Sequence, residues 1–269
     1  MNNVRVPQGL AGRRVWITGA TSGIGRAMAL ASIAQGARVV LSARRRDALE
    51  QVRADSGRPD AVRIITLDQA DVSGAARAAT EAVAVFGGLD VVILNGGVSQ
   101  RALALETSVA VDQELMTVNY LANVAMIKAI LPSLLEQPAA AIAVVSSLVG
   151  VIGSPYRSGY AASKHALHGF FDSLRAELPE RVTITMICPG FVKTALSVNA
   201  LTGDGSPLGS MDDAQARGLT AEYVAERALA AIAAHKREVY IAGPERRAIW
   251  LQRFFPGVLA RILRNAKVR

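Results

Sequence analysis

Cysteine is nearly absent: Cys188 stands alone among 269 residues. That excludes an intramolecular disulfide and any zinc site built from several cysteines. Long apolar runs are missing as well. A membrane-crossing helix needs roughly 18 uninterrupted apolar residues, and the run from Leu121 to Leu135 is interrupted by Asn123, Lys128 and Pro132. The opening MNNVRVPQGL lacks a basic start followed by an apolar stretch, so no secretory signal and no membrane helix is expected there, and a cytoplasmic location follows. No Gly/Ser-rich or Pro-rich linker divides the chain and no segment repeats at a fixed period, which predicts a single domain. Acidic residues are missing from one region only. Residues 246–269 carry seven of the eight net positive charges and no Asp or Glu, so the rest of the chain is close to neutral and a nucleic-acid partner is not expected.

What is present is a hydrophobic chain, 51% apolar and 19% charged, well able to bury a core. Short apolar runs at Val15–Thr18, Arg38–Ser42, Val62–Thr66, Asp90–Leu94, Ile142–Ser146, Thr183–Ile187 and Glu238–Ile241 read as strands. Helical patterns lie between them, near 24–35, 46–54, 73–86, 111–135, 158–178 and 221–234. The alternation predicts an α/β fold of the Rossmann type, a doubly wound parallel sheet of about seven strands, with ligands at the carboxyl ends of the strands.

The first strand ends in Thr18-Gly19-Ala20-Thr21-Ser22-Gly23-Ile24-Gly25 and runs into an Ala-rich helix. Such a turn lets the backbone approach a pyrophosphate and aims the helix N-terminus at it, which makes Gly19, Thr21, Ser22, Gly23, Ile24 and Gly25 dinucleotide-binding candidates. An NAD site usually has a carboxylate about 20 residues further on, for the ribose hydroxyls. Ala43 stands there instead, followed by Arg44, Arg45 and Arg46. Planar cations suit a 2′-phosphate, so the expected cofactor is NADP(H), with Arg44 and Arg45 as its ligands. A solvated charge run at a helix start is the competing account, and cations are unfavourable at that end of a helix. Asp68 and Gln69, after the third strand, are candidates for the adenine edge.

A second constellation lies between residues 146 and 164. Tyr160 and Lys164 are four apart and share one helix face, and Ser147 ends the fifth strand. A phenol works as an acid–base group when a nearby cation favours its phenolate, the expected role of Lys164, and Ser147 can hydrogen-bond a substrate carbonyl.

From about Arg14 to Ile241 these motifs resemble the short-chain dehydrogenase/reductase family. Thr18–Gly25 is similar to its T-G-x-x-x-G-x-G turn, and Ser147, Tyr160 and Lys164 to its active-site signature. Asn95-Gly96-Gly97 resembles its N-A-G segment, Asn119 its fourth-helix asparagine, and Pro189-Gly190, Val192 and Thr194 its P-G-x-x-x-T segment. The resemblance implies Tyr160 as proton donor, Lys164 on the nicotinamide ribose, Ser147 orienting the carbonyl and Asn119 holding a relay water. It also implies nicotinamide-side contacts from Asn95, Gly96, Gly97, Pro189, Gly190, Val192 and Thr194. NGGVSQRAL and GYAASKHALHGFFDSLRAEL are most similar to the dehydrogenase/reductase member 7 group and its hydroxysteroid dehydrogenase relatives.

The expected activity is NADPH-dependent reduction of a ketone or aldehyde, reversible as secondary-alcohol oxidation. A cofactor-sensing protein without turnover is the alternative, against which the filled positions Asn119, Ser147, Tyr160 and Lys164 speak. Residues 195–219, rich in glycine and without periodicity, read as a substrate lid within a cofactor-binding domain of residues 1–245. Ser99, Val149, Ile152, Tyr156 and Phe191 are the expected substrate pocket, favouring a bulky lipophilic molecule of steroid, retinoid or acyl type. His165 and His168 read as ordinary helix residues, Cys188 as a small buried thiol, and no metal site is expected. The small-and-apolar face of the helix at 158–178, Gly159, Ala162, Ala166, Phe170 and Leu174, predicts a homodimer or homotetramer, and the resemblance makes this helix and the one at 111–135 the main subunit contact. In the extension 246–269, Trp250, Phe254, Phe255 and Leu259 form an apolar stripe broken at Pro256-Gly257. It is expected to dock near the substrate entrance, with weak contact to an anionic membrane as an added property.

Overall fold

The computed structural model describes residues 9–265. Residues 1–8, which bear most of the expected absence of a leader, and Lys267 and Arg269 of the basic extension lie outside them. The chain runs β1 (Arg14–Thr18), α1 (Gly23–Ala34), β2 (Arg38–Ala43), α2 (Arg46–Asp55), β3 (Val62–Thr66), α3 (Val72–Phe86) and β4 (Val91–Leu94). It continues through α4 (Val109–Met116), a π-helical turn at Thr117–Leu121, α5 (Ala122–Glu136), β5 (Ala140–Val145), α6 (Ser158–Glu177) and β6 (Val182–Pro189). The last elements are α7 (Asp213–Ala216), α8 (Ala221–Ala233), β7 (Glu238–Ile241), α9 (Arg247–Phe254) and α10 (Pro256–Arg264).

All seven strands pair in parallel in the order β3-β2-β1-β4-β5-β6-β7. Because parallel neighbours require crossovers, the helices fall on both faces, and the strand order reverses between β1 and β4, where such sheets bind ligands. One core layer joins Val15, Ile17, Val39 and Leu41 to Met28 and Ile33 of α1, Leu49 of α2 and Val224 of α8. The other joins Trp16, Val40, Val92 and Val144 to Ala79 of α3, Met126 and Ile130 of α5 and Phe171 of α6. The one polar atom of the fully buried Trp16, its indole Nε1, donates to Ser42 Oγ at 2.9 Å, so its burial leaves no donor unpaired.

Three expectations are corrected. The strand expected from Ile142 begins at Ala140, because an alanine run carries no strand signature and only burial by both layers decides it. The lid is not without structure: Leu201 bridges to Gln100 and to Pro207, Val192 bridges to Leu219, and α7 forms within it. The continuous run Val109–Glu136, which holds an 18-residue window of mean hydropathy 1.4, is long and apolar enough to cross a membrane, contrary to the expectation that no segment is. In the fold its Met126, Ile127, Ile130 and Leu134 are spent on the sheet, in the layer with α3.

Candidate active site

The Gly-rich turn is built by exclusion. A Cβ on Gly19 would lie 2.7 Å from Gly96 Cα, and one on Gly25 would lie 2.3 Å from the Gly19 carbonyl oxygen. Gly23, at φ +53°, faces the Thr194 methyl at a would-be 3.0 Å, so the segment after β6 closes over the turn from β1. Thr18 fastens the third wall: its hydroxyl oxygen accepts from the backbone N–H groups of Asn95 (3.0 Å) and Gly96 (3.1 Å). Asn95 answers by donating from Nδ2 to the carbonyls of Thr18 and Gly19. At the start of α1, Ser22 makes no side-chain cap and the first turn holds no carboxylate, leaving a positive helix end for an anion. This cradle fits a dinucleotide pyrophosphate.

Ala43 ends β2, and Arg44 and Arg45 are exposed with no ion pair among the described residues, whereas Arg46 lies 3.6 Å from Glu50. Asp68 accepts from the Ala70 N–H. Gln69 is buried, its amide donating to the Val118 carbonyl at 3.0 Å and towards Gly96 at 3.4 Å, so it braces the cradle from behind and its amide NH2 is taken up within the protein.

Asn119, Ser147, Tyr160 and Lys164 converge on the carboxyl ends of β4, β5 and β6. Asn119 is fully buried in the π-helical turn, a helix irregularity common at functional sites. Its Oδ1 accepts from the Val98 N–H (2.8 Å), and its Nδ2 donates to the Val98 carbonyl and to Ser163 Oγ (each 2.9 Å). The amide thus ties the β4 loop to α6, and its main-chain carbonyl accepts from Asn123. Ser147 Oγ accepts from the Val149 N–H and donates towards the Pro189 carbonyl at 3.5 Å. Burial raises the Tyr160 pKa; the Ser147 hydroxyl and the charges of Arg157 and Arg101 pull the other way. This differs from the expected phenolate support by Lys164. Lys164 Nζ sits 5.8 Å from the Tyr160 ring centre, donates to the Val145 carbonyl at 2.9 Å, and is itself pushed down to about 8 by burial.

Arg101 and Arg157 were not singled out by sequence. Both are buried around the lid carboxylate Asp212, at 3.0 and 3.9 Å. Asp212 also accepts from Ser197 and caps α7, so one carboxylate fastens the lid to the active-site arginines. Arg157, the N-cap residue of α6 three positions before Tyr160, carries a usable signal; Asp212 carries none. Ser99 accepts from Arg101, Val149 and Ile152 are buried, and Arg157 lies over the Phe191 ring. Tyr156 stands at φ +63°, a backbone region that a bulky side chain rarely adopts. Val192 is buried in the core layer of α1 and α8, while Pro189 and Gly190 turn the chain out of β6.

No metal site is expected from the sequence; the fold brings ligand atoms of His168, Cys188 and Glu238 within 4.8 Å of one another. In the extension, the expected break at Pro256 divides α9 from α10, but among its described residues only Leu259 is buried. Trp250, Phe254 and Phe255 are 68%, 59% and 62% exposed, so they do not dock on the body of their own chain; Trp250 and Phe254 stack on each other instead.

The comparisons with known proteins agree with this geometry. The family described as short chain dehydrogenase matches residues 13–204. A dehydrogenase/reductase SDR family protein 7-like from Anopheles gambiae is 40% identical over 98% of this chain and 86% of its own length. Two solved structures share the fold. A short chain dehydrogenase/reductase from Burkholderia phymatum in complex with NAD has a TM-score of 0.82 at 22% identity, over 93% of this chain and 96% of its own. A short chain dehydrogenase from Burkholderia cenocepacia in complex with NADP has a TM-score of 0.80 at 24% identity, over 96% of this chain and all of its own. With a family match over most of its length and a relative at 40% identity, the chain is an oxidoreductase of the short-chain dehydrogenase/reductase family.

Proposed function

We propose that this oxidoreductase is an NADPH-dependent carbonyl reductase, reversible as a secondary-alcohol dehydrogenase, acting on a bulky lipophilic ketone or aldehyde. The observation that carries the reading is the buried Tyr160 hydroxyl, which Ser147, Arg157 and Arg101 act on at the rim of the Gly-rich cradle. A phenol whose pKa is raised keeps its proton through neutral pH, as a donor to a developing alkoxide must. Ser147 Oγ holds the carbonyl oxygen beside that hydroxyl, and Arg157 and Arg101 favour the phenolate left after the proton has gone. When bound, the nicotinamide supplies the hydride or takes it back. Exposed Arg44 and Arg45 after Ala43, where a ribose-binding carboxylate would stand in an NAD site, support the 2′-phosphate form.

Apolar Val149, Ile152 and Phe191 and the aromatic surface of α9 favour a lipophilic substrate and contact of the basic extension with an anionic membrane. Membership of the short-chain dehydrogenase/reductase family supports assembly as a homodimer or homotetramer through α5 and α6. Following NADPH oxidation against a panel of lipophilic ketones and aldehydes tests the reading. Cofactor-dependent turnover is expected; binding of NADPH without oxidation across the panel would favour a sensing protein.

A further inference from the structure

One turn beyond Lys164 on α6, His168 meets side chains from two strands. Its Nε2 lies 3.0 Å from Ser146 Oγ and 3.7 Å from Cys188 Sγ, and its Nδ1 lies 3.6 Å from Glu238 Oε1. Cys188 Sγ is 3.6 Å from the same carboxylate oxygen. Tetrahedral zinc with sulfur at about 2.3 Å and nitrogen or oxygen at about 2.0–2.2 Å sets its ligand atoms about 3.4–3.6 Å apart. The His168 Nδ1–Glu238 and Cys188 Sγ–Glu238 edges, each 3.6 Å, match those separations, and one ligand atom from each of the three residues lies within 4.8 Å of the others.

We propose that His168, Cys188 and Glu238 form a zinc-binding site, distinct from the tetrad and not needed for hydride transfer. The ligand chemistry selects the ion. A thiolate, an imidazole and one carboxylate suit zinc, whereas magnesium and calcium take oxygen ligands. Charge closes as well: on binding, the Cys188 thiol loses its proton to solvent, and the thiolate and the Glu238 carboxylate neutralise Zn2+ while His168 binds neutral. No electron moves.

The imidazole is also braced. With Nδ1 on the metal, the Nε2–H of His168 donates to Ser146 Oγ, an outer contact of the kind that fixes a metal ligand in place. Cys188 is buried while His168 and Glu238 are partly exposed, so an ion has a way in and the remaining position is open to water. Ser146 adjoins Ser147, and a bound ion therefore stiffens the strand end that carries the substrate-orienting hydroxyl.

The site predicts that the full-length, reduced protein takes up one Co2+ per chain and shows a thiolate-to-cobalt charge-transfer band that Zn2+ abolishes by competition. Cys188→Ser should remove the band. Because Cys188 is buried and its replacement can disturb the fold, Glu238→Gln is the second variant: it is isosteric and partly exposed. It should keep the band but bind Co2+ at least tenfold more weakly, with unchanged circular dichroism. Zn2+ should raise the thermal midpoint of the parent and not of Cys188→Ser. Absence of a thiolate band in the parent, or equal Co2+ affinity in parent and Glu238→Gln, would overturn the proposal.

Discussion

Thr18 carries more of the cofactor cradle than its size suggests, and replacing it by valine isolates one oxygen. Valine keeps the shape and removes the acceptor for the Asn95 and Gly96 N–H groups, which lie 3.0 and 3.1 Å away in a site where Thr18 is fully buried. Each buried donor left without a partner costs about 1–3 kcal/mol. Asn95 is only partly buried and can recruit water, so the sum is about 2–4 kcal/mol, which for a chain of this size lowers Tm by roughly 5–10 °C. Thr18→Ser keeps the oxygen and loses one buried methyl, about 1 kcal/mol. Urea unfolding of the three proteins, followed by NADPH titration of the folded variants, separates the terms. Thr18→Val should be the least stable and bind cofactor most weakly, because the Asn95–Gly97 wall is no longer pinned to β1. If Thr18→Val were as stable as Thr18→Ser, the two hydrogen bonds would not be holding the cradle.

Cofactor preference should follow the end of β2: NADPH is expected to bind at least tenfold tighter than NADH, about 1.4 kcal/mol, and Ala43→Asp with Arg44→Ala should erase or reverse this in fluorescence titrations. Burial holds the Lys164 ammonium down at about 8 from 10.5. Between those pH values the unfolded chain binds more protons than the folded one, so this residue makes stability rise with pH across that window; in pH-dependent unfolding, Lys164→Met should flatten the rise, and an unchanged slope would contradict it. Removing residues 246–269 should abolish salt-sensitive binding to vesicles of anionic lipid, read by co-sedimentation; equal binding by the truncated chain would place the contact elsewhere.

The parts of the site that are legible in the sequence are those compressed into one turn. Gly19, Gly23 and Gly25 stand within seven residues, and Tyr160 and Lys164 within one helical turn, so spacing alone places them. The convergence of Thr194 on Gly23 is out of reach of spacing, because it depends on how the chain leaves β6. The same holds for His168, Cys188 and Glu238, which lie on α6, β6 and β7 and meet only when those elements pack. Fold class is carried by the alternation of apolar runs and helical patterns, while Ala140 and Ala141 show its limit: their strand state is imposed by pairing with Val182 and Thr183. The extension departs from its pattern because an apolar stripe implies burial, yet in α9 Trp250 and Phe254 stack on each other and stay mostly exposed.

The central claim is that the Tyr160 hydroxyl delivers the proton in carbonyl reduction. Tyr160→Phe removes only that oxygen from a buried ring, leaving the cradle and Lys164 in place. With a ketone or aldehyde that the parent protein reduces, the account predicts that kcat for NADPH oxidation falls by at least about a hundredfold, while the Kd for NADPH changes little. Turnover by Tyr160→Phe at the parent rate would contradict it.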